Sequence, residues 1–437
     1  MKEFKVGLLG FGTVGAGVVE ILRDNKSLLE KRLGASLRLA QVADLDVFRD
    51  RGVTVDPSLL TTDAESVVDN PEIDIVVELI GGCEAARSLV LKALANGKTV
   101  VTANKALLAL HGREIYEEAT RNGAEIFFEG AVGGGIPLIT AIKENLCANR
   151  FHTILGILNG TCNYILTRMT HNGEGFDAVL KDAQEKGFAE ADPTFDVEGI
   201  DTAHKLAVLI GLCFGNLPDF AKIYVEGISR ISSIDIEFAR QFGYVIKLLA
   251  ISKWGKDGIE ARIHPTMLPV DHPLAAVDGV FNAVEVVGDF VGPVTWIGQG
   301  AGRKATASAV VGDVIQAARN LMAGTRRRTA PLGYLADVME NLPIKSIDKL
   351  IGQFYLRFSV IDRPGVLGKI STILGEKGIS IASMIQMKRK AEARVPVVMM
   401  THQCCEADIR AALKRIDAEV EICDPSVLIR IEDNGRD

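Results

Sequence analysis

Short apolar runs alternate with helical patterns through the first 130 residues of the chain. The runs are rich in Val, Ile, Leu and Phe, as is typical of strands buried on both faces of a sheet. The segments between them repeat apolar residues with the helical period, as in EAARSLVLKALANG at 84–97. This alternation predicts a doubly wound α/β domain with a parallel sheet. The predicted strands are FKVGLL at 4–9, LRLAQVAD at 37–44, IDIVVELIGG at 73–82, KTVVTANK at 98–105 and EIFFEG at 125–130.

A glycine pattern directly follows the first predicted strand. In GFGTVG, three glycines have the GxGxxG spacing at the start of an apolar helix. Such a turn permits a sharp bend and the close approach of a pyrophosphate, and the helix amino terminus offers free N–H groups to it. The pattern predicts a dinucleotide-binding turn made of Gly10, Phe11, Gly12, Thr13, Val14 and Gly15.

Asp44 ends the second predicted strand, where a carboxylate can accept hydrogen bonds from the adenosine ribose of NAD. It lies further from the glycines than is usual, because RDNKSLLEKRLGAS lengthens the helix and loop. Arg49 and Arg51 follow closely, and a guanidinium there would suit the 2′-phosphate of NADP instead. Ala43 beside the acid favours NAD, and both cofactors remain alternatives.

Further candidate contacts lie after the later strands, where ligands of such sheets collect. Lys105 is either a cation at the rim of the cofactor crevice or a solvated lysine at a helix start. The loop EGAVGGGIPLITAI at 129–142 is either a ligand contact or a hinge between domains. LNGTCNYIL at 158–166 opens a helix, with Asn159 or Thr161 as a plain N-cap or as part of the cofactor site.

The stretch FAEADPTFDVEGIDTAHKL at 188–206 carries several carboxylates ahead of Lys205 and runs into an apolar helical pattern. We expect Asp196 to be the N-cap of a helix that starts at Val197, with Asp201 and Lys205 four residues apart on one face. Exposed pairs of this kind are common, but this helix is apolar and predicted to be buried. Carboxylates converging on a partly buried lysine suit an amino-acid substrate whose reacting group exchanges a proton with that lysine.

The pattern changes in the last third of the chain. Charge, proline and a short helical pattern are mixed at 323–352, which indicates a connection between domains. Beyond it the predicted elements follow in the order β-α-β-β-α-β, with the turn DRPGVLGKI at 362–370 between the first two.

Composition excludes several classes of protein. Hydrophobic residues make up 48% and charged residues 24% of the 437 positions, as expected for a globular protein of two or three domains. The net charge of −7 argues against nucleic-acid binding, since the run Arg326–Arg328 is short. The seven cysteines lack CxxC spacing and indicate reduced thiols in the cytoplasm. We find neither a signal peptide, nor a membrane-spanning run, nor a histidine cluster for a metal.

Six ordered motifs together resemble the homoserine dehydrogenase family. They are GFGTVG at 10–15, TANK at 102–105, EGAVGGGIP at 129–137, NGTCNYIL at 159–166, AEADPTFDVEGIDTAHKL at 189–206 and GAGRKATASAVVGD at 300–313. The C-terminal βαββαβ order and its DRPGVLGKI turn resemble the ACT domain, a regulatory module that commonly binds amino acids between paired copies.

The resemblance implies NAD(P)-dependent interconversion of L-aspartate 4-semialdehyde and L-homoserine, in threonine and methionine biosynthesis. Lys205 matches the family's catalytic lysine, which gives a proton to the aldehyde oxygen, and Lys105 matches a second lysine at that oxygen. Glu190, Asp196 and Asp201 match the acids that bind the substrate. These roles agree with the chemistry, because hydride addition builds negative charge on oxygen, which an ammonium group stabilises and neutralises.

The resemblance also implies contacts that the residues alone would not show. It extends the cofactor site to Lys105, Asn159, Gly160, Thr161 and Gly302. It implies a sodium-like ion held largely by main-chain carbonyls at Glu129, Val132, Gly134 and Ile136. One departure from the family is Ala305, which stands where proline is usual.

The expected architecture has four parts. They are a Rossmann-type domain at 1–130 completed by 301–322, an α+β substrate and oligomerisation domain at 131–300, a linker at 323–352 and an ACT domain at 353–437. By family analogy we expect a homo-oligomer, either a dimer or a tetramer.

L-Threonine between paired ACT domains is the expected feedback inhibitor, and a dimerisation lobe without a ligand is the alternative. For the whole chain, the alternatives are a non-catalytic amino-acid sensor and an oxidoreductase for another small amino acid. The retained residues Lys105, Lys205, Glu190 and Asp201 argue against the sensor.

Overall fold

The computed structural model describes residues 2–335, 338–339, 341–386 and 394–433. Parts of three predicted segments lie outside these ranges. They are position 1 of the nucleotide domain, positions 336, 337 and 340 of the linker, and positions 387–393 and 434–437 of the C-terminal domain.

The first part of the chain forms a six-stranded parallel sheet with the order β3-β2-β1-β4-β5-β6, the arrangement of a dinucleotide-binding fold. The predicted strands are confirmed. The strands are β1 (Glu3–Leu9), β2 (Ser36–Ala43), β3 (Leu60–Thr61), β4 (Ile75–Glu78), β5 (Thr99–Thr102) and β6 (Ile126–Phe127). The helices are α1 (Thr13–Asp24), α2 (Lys26–Leu33), α3 (Ala64–Asp69), α4 (Glu84–Ala95) and α5 (Lys105–Arg121).

The middle of the chain forms a mainly antiparallel sheet covered by helices, with one short strand paired in parallel. Its strands are β7 (Phe151–Ile157), β8 (Tyr224–Val225), β9 (Tyr244–Gly255), β10 (Gly258–Pro269), β11 (Phe281–Gly288) and β12 (Gly292–Gln299). The helices are α6 (Gly160–Asn172), α7 (Phe176–Glu185), α8 (Thr194–Val197), α9 (Ile200–Phe214) and α10 (Ser233–Gln241). Helix α9 is buried along nearly all of its length, because it packs on the sheet and on α5 of the nucleotide domain. It therefore lies at the junction of the two domains.

Helix α11 (Arg303–Ala323) returns from the middle of the chain to the first domain. Its apolar residues Ala307, Val310 and Val314 pack in one core with α1 and β1. The face of the parallel sheet that carries α1 is thus completed by residues from far along the chain.

The C-terminal part has the βαββαβ order predicted from the sequence. Its elements are β13 (Ile351–Ile361), α12 (Val366–Glu376), β14 (Ile381–Gln386), β15 (Arg394–Thr401), the short β16 (Cys404–Cys405), α13 (Glu406–Ile416) and β17 (Ile422–Ile431). Strand β17 pairs with β10, so the two sheets continue into one with the order β12-β11-β7-β9-β10-β17-β13-β15-β14. One edge of the ACT sheet is therefore covered within the chain, and β14 lies at the opposite end of the described sheet.

The described residues of the segment at 323–352 pack on the substrate domain. The Leu332 side chain is buried against α9, and the Tyr334 hydroxyl donates to the Cys213 carbonyl at 3.0 Å. The N–H of Leu342 donates to the Asn216 side chain at 2.8 Å. These contacts fix the path by which the chain reaches the ACT domain. Within the described ranges, no helix has the length and hydropathy that crossing a bilayer requires.

Candidate active site

The turn between β1 and α1 has the geometry of a phosphate cradle. Gly10 has a φ of +94°, and a Cβ atom there would lie 2.5 Å from the Leu79 carbonyl oxygen. A Cβ atom on Gly15 would lie 2.2 Å from the carbonyl oxygen of Gly10, so only glycine allows this packing. Beside Gly12 there is open space at the amino terminus of α1. The turn therefore fits the pyrophosphate of a dinucleotide.

Asp44 follows β2 and contacts the same turn. Its carboxylate accepts the N–H of Phe11 at 2.6 Å and the Arg51 guanidinium at 2.9 Å. Arg51 also lies over the Phe11 ring, and its carbonyl accepts from the Arg303 side chain at 3.0 Å. An acid and a base thus meet at the predicted ribose position, and both NAD and NADP remain compatible with it.

Two lysines from different domains meet at one carboxylate. Lys105 begins α5, and its Nζ lies 3.2 Å from Asp201 Oδ1. Lys205 on α9 donates to Asp201 Oδ2 at 2.7 Å and to the Leu158 carbonyl at 2.7 Å. Asp201 and Lys205 are buried, whereas 35% of the Lys105 side chain is exposed. The predicted pair of Asp201 with Lys205 is confirmed, and the cluster opens toward solvent on the side of the nucleotide domain.

Asn159 joins this cluster to Asp196. Its side-chain oxygen accepts the N–H of Cys162, so Asn159 is the N-cap of α6. Its amide nitrogen donates to Asp196 Oδ1 at 2.8 Å and to Asp201 Oδ2 at 3.1 Å. Of the two N-cap candidates, Asn159 holds the position, and the same side chain orients two acids.

The helix start predicted at Asp196 is wrong. Asp196 lies inside the short helix α8, and α9 begins only at Ile200. Gly199 separates the two helices with a φ of +81°, a conformation that glycine adopts readily. The pattern concealed this break because Val197 is buried like the residues of α9. The break leaves Asp196 free to reach Asn159 rather than to cap α9.

Burial and charge act in opposite directions on these acids. Burial raises the pKa of Asp196, against the opposing effect of the Asn159 hydrogen bond. Burial also acts to raise the pKa of Asp201, but the charges of Lys205 and Lys105 outweigh it and lower that pKa to about 2. Asp201 is therefore ionised throughout the physiological range.

His204, next to Lys205, belongs to the helix packing. Its ring stacks on Phe220 with the centroids 4.6 Å apart and also lies near Phe195. Burial lowers its pKa to about 4. His204 is therefore neutral near pH 7 and is not a proton donor there.

Residues at the strand ends hold Lys105 in position. Asn104 caps α5 and donates to the Gly82 carbonyl at 2.6 Å. Thr102 donates to the buried carboxyl of Glu78 at 2.6 Å. A lysine in the first turn of a helix is repelled by the positive end of the helix dipole. Lys105 therefore does not serve to stabilise α5.

The other predicted contacts lie at the starts of helices and in a loop. Thr161 donates to the Phe188 carbonyl at 2.5 Å, and Gly302 caps α11 with a φ of +116°. Gly160 is the first residue of α6, packed against the Val280 carbonyl. Glu190 is exposed, and among the described residues no hydrogen bond or ion pair joins its carboxylate to the lysine cluster. The structure brings together Lys105, Asn159, Asp196, Asp201 and Lys205.

The glycine loop is held from both sides. The Glu129 carboxylate accepts the N–H groups of Ile139 and Thr140, at 2.8 and 2.9 Å. A Cβ atom on Gly134 would lie 2.6 Å from the Gly300 carbonyl, so the loop touches the segment that leads to α11. Burial, followed by the charge of Glu129, raises the pKa of Asp313 to about 8. Across the described ranges, no group of three His, Cys, Asp or Glu side chains is arranged to hold a metal.

Two contacts of the site were not predicted. The Leu158 carbonyl holds Lys205, and no residue type in the sequence marks a main-chain acceptor. Arg51 was an alternative to Asp44 in the cofactor site but is in fact its partner. The sequence pattern gave no signal for this pairing.

The parallel sheet, its glycine turn and the lysine–carboxylate cluster beside it define a nicotinamide-dependent oxidoreductase. Matches to known families agree with this class. They are "Homoserine dehydrogenase, NAD binding domain" over residues 10–129, "Homoserine dehydrogenase" over 137–315 and "ACT domain" over 354–421.

Relatives that align over the full length of the chain support the same class. A homoserine dehydrogenase of Pseudomonas aeruginosa is 45% identical over 99% of both chains. The crystal structure of a homoserine dehydrogenase from Thiobacillus denitrificans has a TM-score of 0.93 at 45% identity, covering 99% of both chains. A hyperthermophilic archaeal homoserine dehydrogenase in complex with NADPH has a TM-score of 0.62 at 26% identity and covers 72% of this chain and 97% of its own. The chain belongs to the homoserine dehydrogenase family, in a form that carries an ACT domain.

Proposed function

We propose that the chain interconverts L-aspartate 4-semialdehyde and L-homoserine, with Lys205 as the proton donor and acceptor and Lys105 as a second cation at the reacting oxygen. The observation that carries this proposal is the meeting of both lysines at Asp201, one from each domain. An aldehyde oxygen next to the two ammonium groups would be stabilised as it becomes negative and would then take a proton. The bound nicotinamide cofactor supplies or accepts the hydride.

Asp196, Asp201 and Glu190 are proposed to receive the ammonium group of the substrate. Two of these acids share the Asn159 amide, which sets their separation. Glu190 lies on the exposed loop before α8, so its part in binding requires the loop to meet the substrate. The buried position of Asp201 leaves the lysines little freedom to move away from the reacting oxygen.

The cofactor is NAD or NADP, bound along the Gly10–Gly15 turn with Lys105, Asn159, Gly160, Thr161 and Gly302 on the nicotinamide side. The Asp44–Arg51 pair offers an acceptor for ribose hydroxyls and a cation for a 2′-phosphate at one place. The archaeal relative in complex with NADPH supports NADP as one of the two.

A structural sodium ion is proposed at the carbonyls of Glu129, Val132, Gly134 and Ile136. The Glu129 carboxylate already accepts main-chain N–H groups, so main-chain oxygens are the ligands that this loop offers. Sodium chloride should then raise the thermal unfolding temperature more than choline chloride at equal ionic strength. Equal unfolding temperatures in the two salts would exclude the ion.

The remaining proposals concern regulation and assembly. L-Threonine is proposed to inhibit through the ACT domain, within threonine and methionine biosynthesis. A homo-oligomer, dimer or tetramer, is supported by exposed apolar residues on the hairpin of β11 and β12, namely Phe281, Phe290 and Ile297. A cytoplasmic location is supported by seven unpaired cysteines.

One assay tests the central proposal. Oxidation of NADH and of NADPH is followed with L-aspartate 4-semialdehyde and the full chain. Turnover is expected, and the faster cofactor decides what the Asp44–Arg51 pair recognises. An inactive protein that still binds L-threonine would instead establish the amino-acid sensor.

A further inference from the structure

Asn282, the second residue of β11, carries a buried side-chain amide. The residue is 1% exposed. Among the described residues, neither its Oδ1 nor its Nδ2 has a hydrogen-bond partner. A buried amide without partners costs free energy, because it has given up its hydrogen bonds to water. Such groups are rare in folded proteins, and those that occur are often tied to function.

The Asn282 amide packs on a segment that joins two domains. A Cβ atom on Gly300 would lie 1.9 Å from Asn282 Cγ, 2.0 Å from Nδ2 and 2.4 Å from Oδ1, so only glycine allows this contact. Gly300 begins the three residues 300–302 that link β12 of the substrate domain to α11, and we call them the return segment. Across the described ranges, the main-chain N–H groups of Ala301 and Gly302 form no hydrogen bond. The unpaired amide therefore contacts a segment that has unpaired main-chain donors of its own.

The two ends of the return segment are held by different domains. On the substrate side, the N–H of Gly135 donates to the Gln299 carbonyl at 3.2 Å. On the nucleotide side, a Cβ atom on Gly17 of α1 would lie 2.7 Å from the Arg303 carbonyl, so α11 is in tight contact with the helix that follows the dinucleotide-binding turn. Gly302 has a φ of +116° and open space beside it. A shift of one domain relative to the other therefore acts on the return segment, whose glycines can absorb it.

The start of β11, in contrast, is fixed to helix α6. A Cβ atom on Gly160 would lie 2.8 Å from the Val280 carbonyl. The Asn163 amide donates to the Phe281 carbonyl at 3.1 Å. Asn282 is thus held in place beside the start of α6, and its side chain faces the return segment. Both of these segments carry residues of the proposed cofactor site.

We propose that Asn282 is a positioning residue for the dinucleotide cofactor, because its amide forms hydrogen bonds with the main chain of the return segment when the cofactor is bound. An asparagine amide has an acceptor oxygen and two N–H donors, so it can pair with a main-chain N–H and a main-chain carbonyl together. These bonds relieve the cost of the unpaired amide, and the gain adds to the affinity for the cofactor. The inference rests on the proposed cofactor site, with Gly302 on the nicotinamide side.

The first measurement is the unfolding temperature of the full chain without cofactor. Asn282→Val replaces the amide with an apolar side chain that suits a β-strand. No hydrogen bond is lost in this state, so the variant should unfold at the same temperature as wild type or above it. The matched control is Asn163→Leu. The Asn163 amide is buried and paired, since it donates to the Phe281 carbonyl and accepts from Lys247, so this variant should unfold at a lower temperature.

The second measurement is cofactor binding, by fluorescence titration with NADH and with NADPH. Asn282→Val should weaken binding of the preferred cofactor by about tenfold, as expected for the loss of about two neutral hydrogen bonds. Asn282→Ala removes the amide without adding bulk beside Gly300 and should weaken binding by the same factor. In steady-state assays the KM of the cofactor should rise, and the KM of L-aspartate 4-semialdehyde should stay within about twofold. A folding defect would not combine unchanged or higher stability with weaker cofactor binding.

The outcomes separate this inference from the proposed function. A lower unfolding temperature of Asn282→Val, comparable with that of Asn163→Leu, would overturn the inference, because the amide would then be paired before the cofactor binds. Unchanged cofactor affinity in both Asn282 variants would overturn it as well. A wild type that binds a cofactor and does not reduce L-aspartate 4-semialdehyde would contradict the proposed function, while the affinities of the Asn282 variants still decide the inference. A wild type that binds neither NADH nor NADPH would overturn both.

Discussion

Two buried charge clusters join the domains of this chain, and they are built from different cations. At the junction of nucleotide and substrate domains, Lys105 and Lys205 share Asp201. At the junction of substrate and ACT domains, Arg430 donates hydrogen bonds to the Glu406 carboxylate through two of its nitrogens. A lysine can release its proton in a suitable environment, whereas an arginine stays charged and binds carboxylates in a fixed fork. The first cluster is thus suited to proton transfer and the second to cohesion.

The two clusters also differ in how completely their charged groups are paired within the protein. The guanidinium of Arg430 is almost fully enclosed, and its partners Glu406, Glu226 and Tyr224 occupy it. In the lysine cluster, 35% of the Lys105 side chain stays exposed. A buried network that is fully paired supports structure, and one with an open side has capacity left for a ligand.

The largest expected effect is on turnover in Lys205→Ala. Removal of the proposed proton donor should lower kcat/KM by about a thousandfold or more, and Lys205→Arg should recover little because a guanidinium does not give up its proton. Steady-state rates and thermal unfolding are measured together. The control is Lys222→Ala, an exposed lysine of the same domain, whose rate should equal that of wild type. Full activity in Lys205→Arg would show that the lysine cluster supplies only charge. It would then contradict the distinction between a cluster for proton transfer and a cluster for cohesion.

The arginine cluster should respond in stability instead. Arg430→Met leaves the carboxylate of Glu406 buried with fewer partners, which is expected to cost about 3–5 kcal/mol. Urea denaturation measures the change. The matched control is Arg394→Met, whose pair with Asp424 is exposed and should contribute less than about 1 kcal/mol. If the two variants were equally stable, the Arg430 network would not hold the domains together.

Acid denaturation sharpens the comparison at Asp201. Its pKa in the folded chain is about 2, below the value of about 3.9 for an unfolded aspartate. A carboxyl with a lowered pKa stabilises the fold above pH 4 or so and loses that contribution as the pH falls toward 2. Asp201→Asn should therefore be less stable than wild type at pH 7, by about 2 kcal/mol, with the difference shrinking below pH 4. A difference that stays constant from pH 7 to pH 3 would refute the ionic account.

The smallest effect is expected at His204, beside the lysine cluster but outside it. Its lowered pKa of about 4 means that the unfolded chain binds more protons than the folded chain between roughly pH 4 and 6.5, so stability rises with pH in that window. His204→Phe keeps the stacked packing on Phe220 and should remove this rise. Unfolding at pH 5 and pH 7 tests it, and turnover at pH 7 should stay within about threefold. A large loss of activity would place His204 in the reaction.

The sequence by itself determined the elements and most of the chemistry. Buried parallel strands read as apolar runs because both faces are covered, and the glycine turn is marked by residues that only its geometry requires. The pairing of Asp201 with Lys205 followed from helical spacing, since residues four apart share a face. The βαββαβ order at the C-terminus followed from the same periodicities.

The tertiary structure decided what depends on residues distant in sequence. Lys105 meets Asp201 only because α5 packs against α9, and no local pattern encodes that contact. The break at Gly199 was missed because burial continues across it, and the strand pairing of β10 with β17 joins segments whose own patterns are complete without it. Local periodicity records which face of an element is buried, whereas the partner that buries it is chosen by the packing of the whole chain.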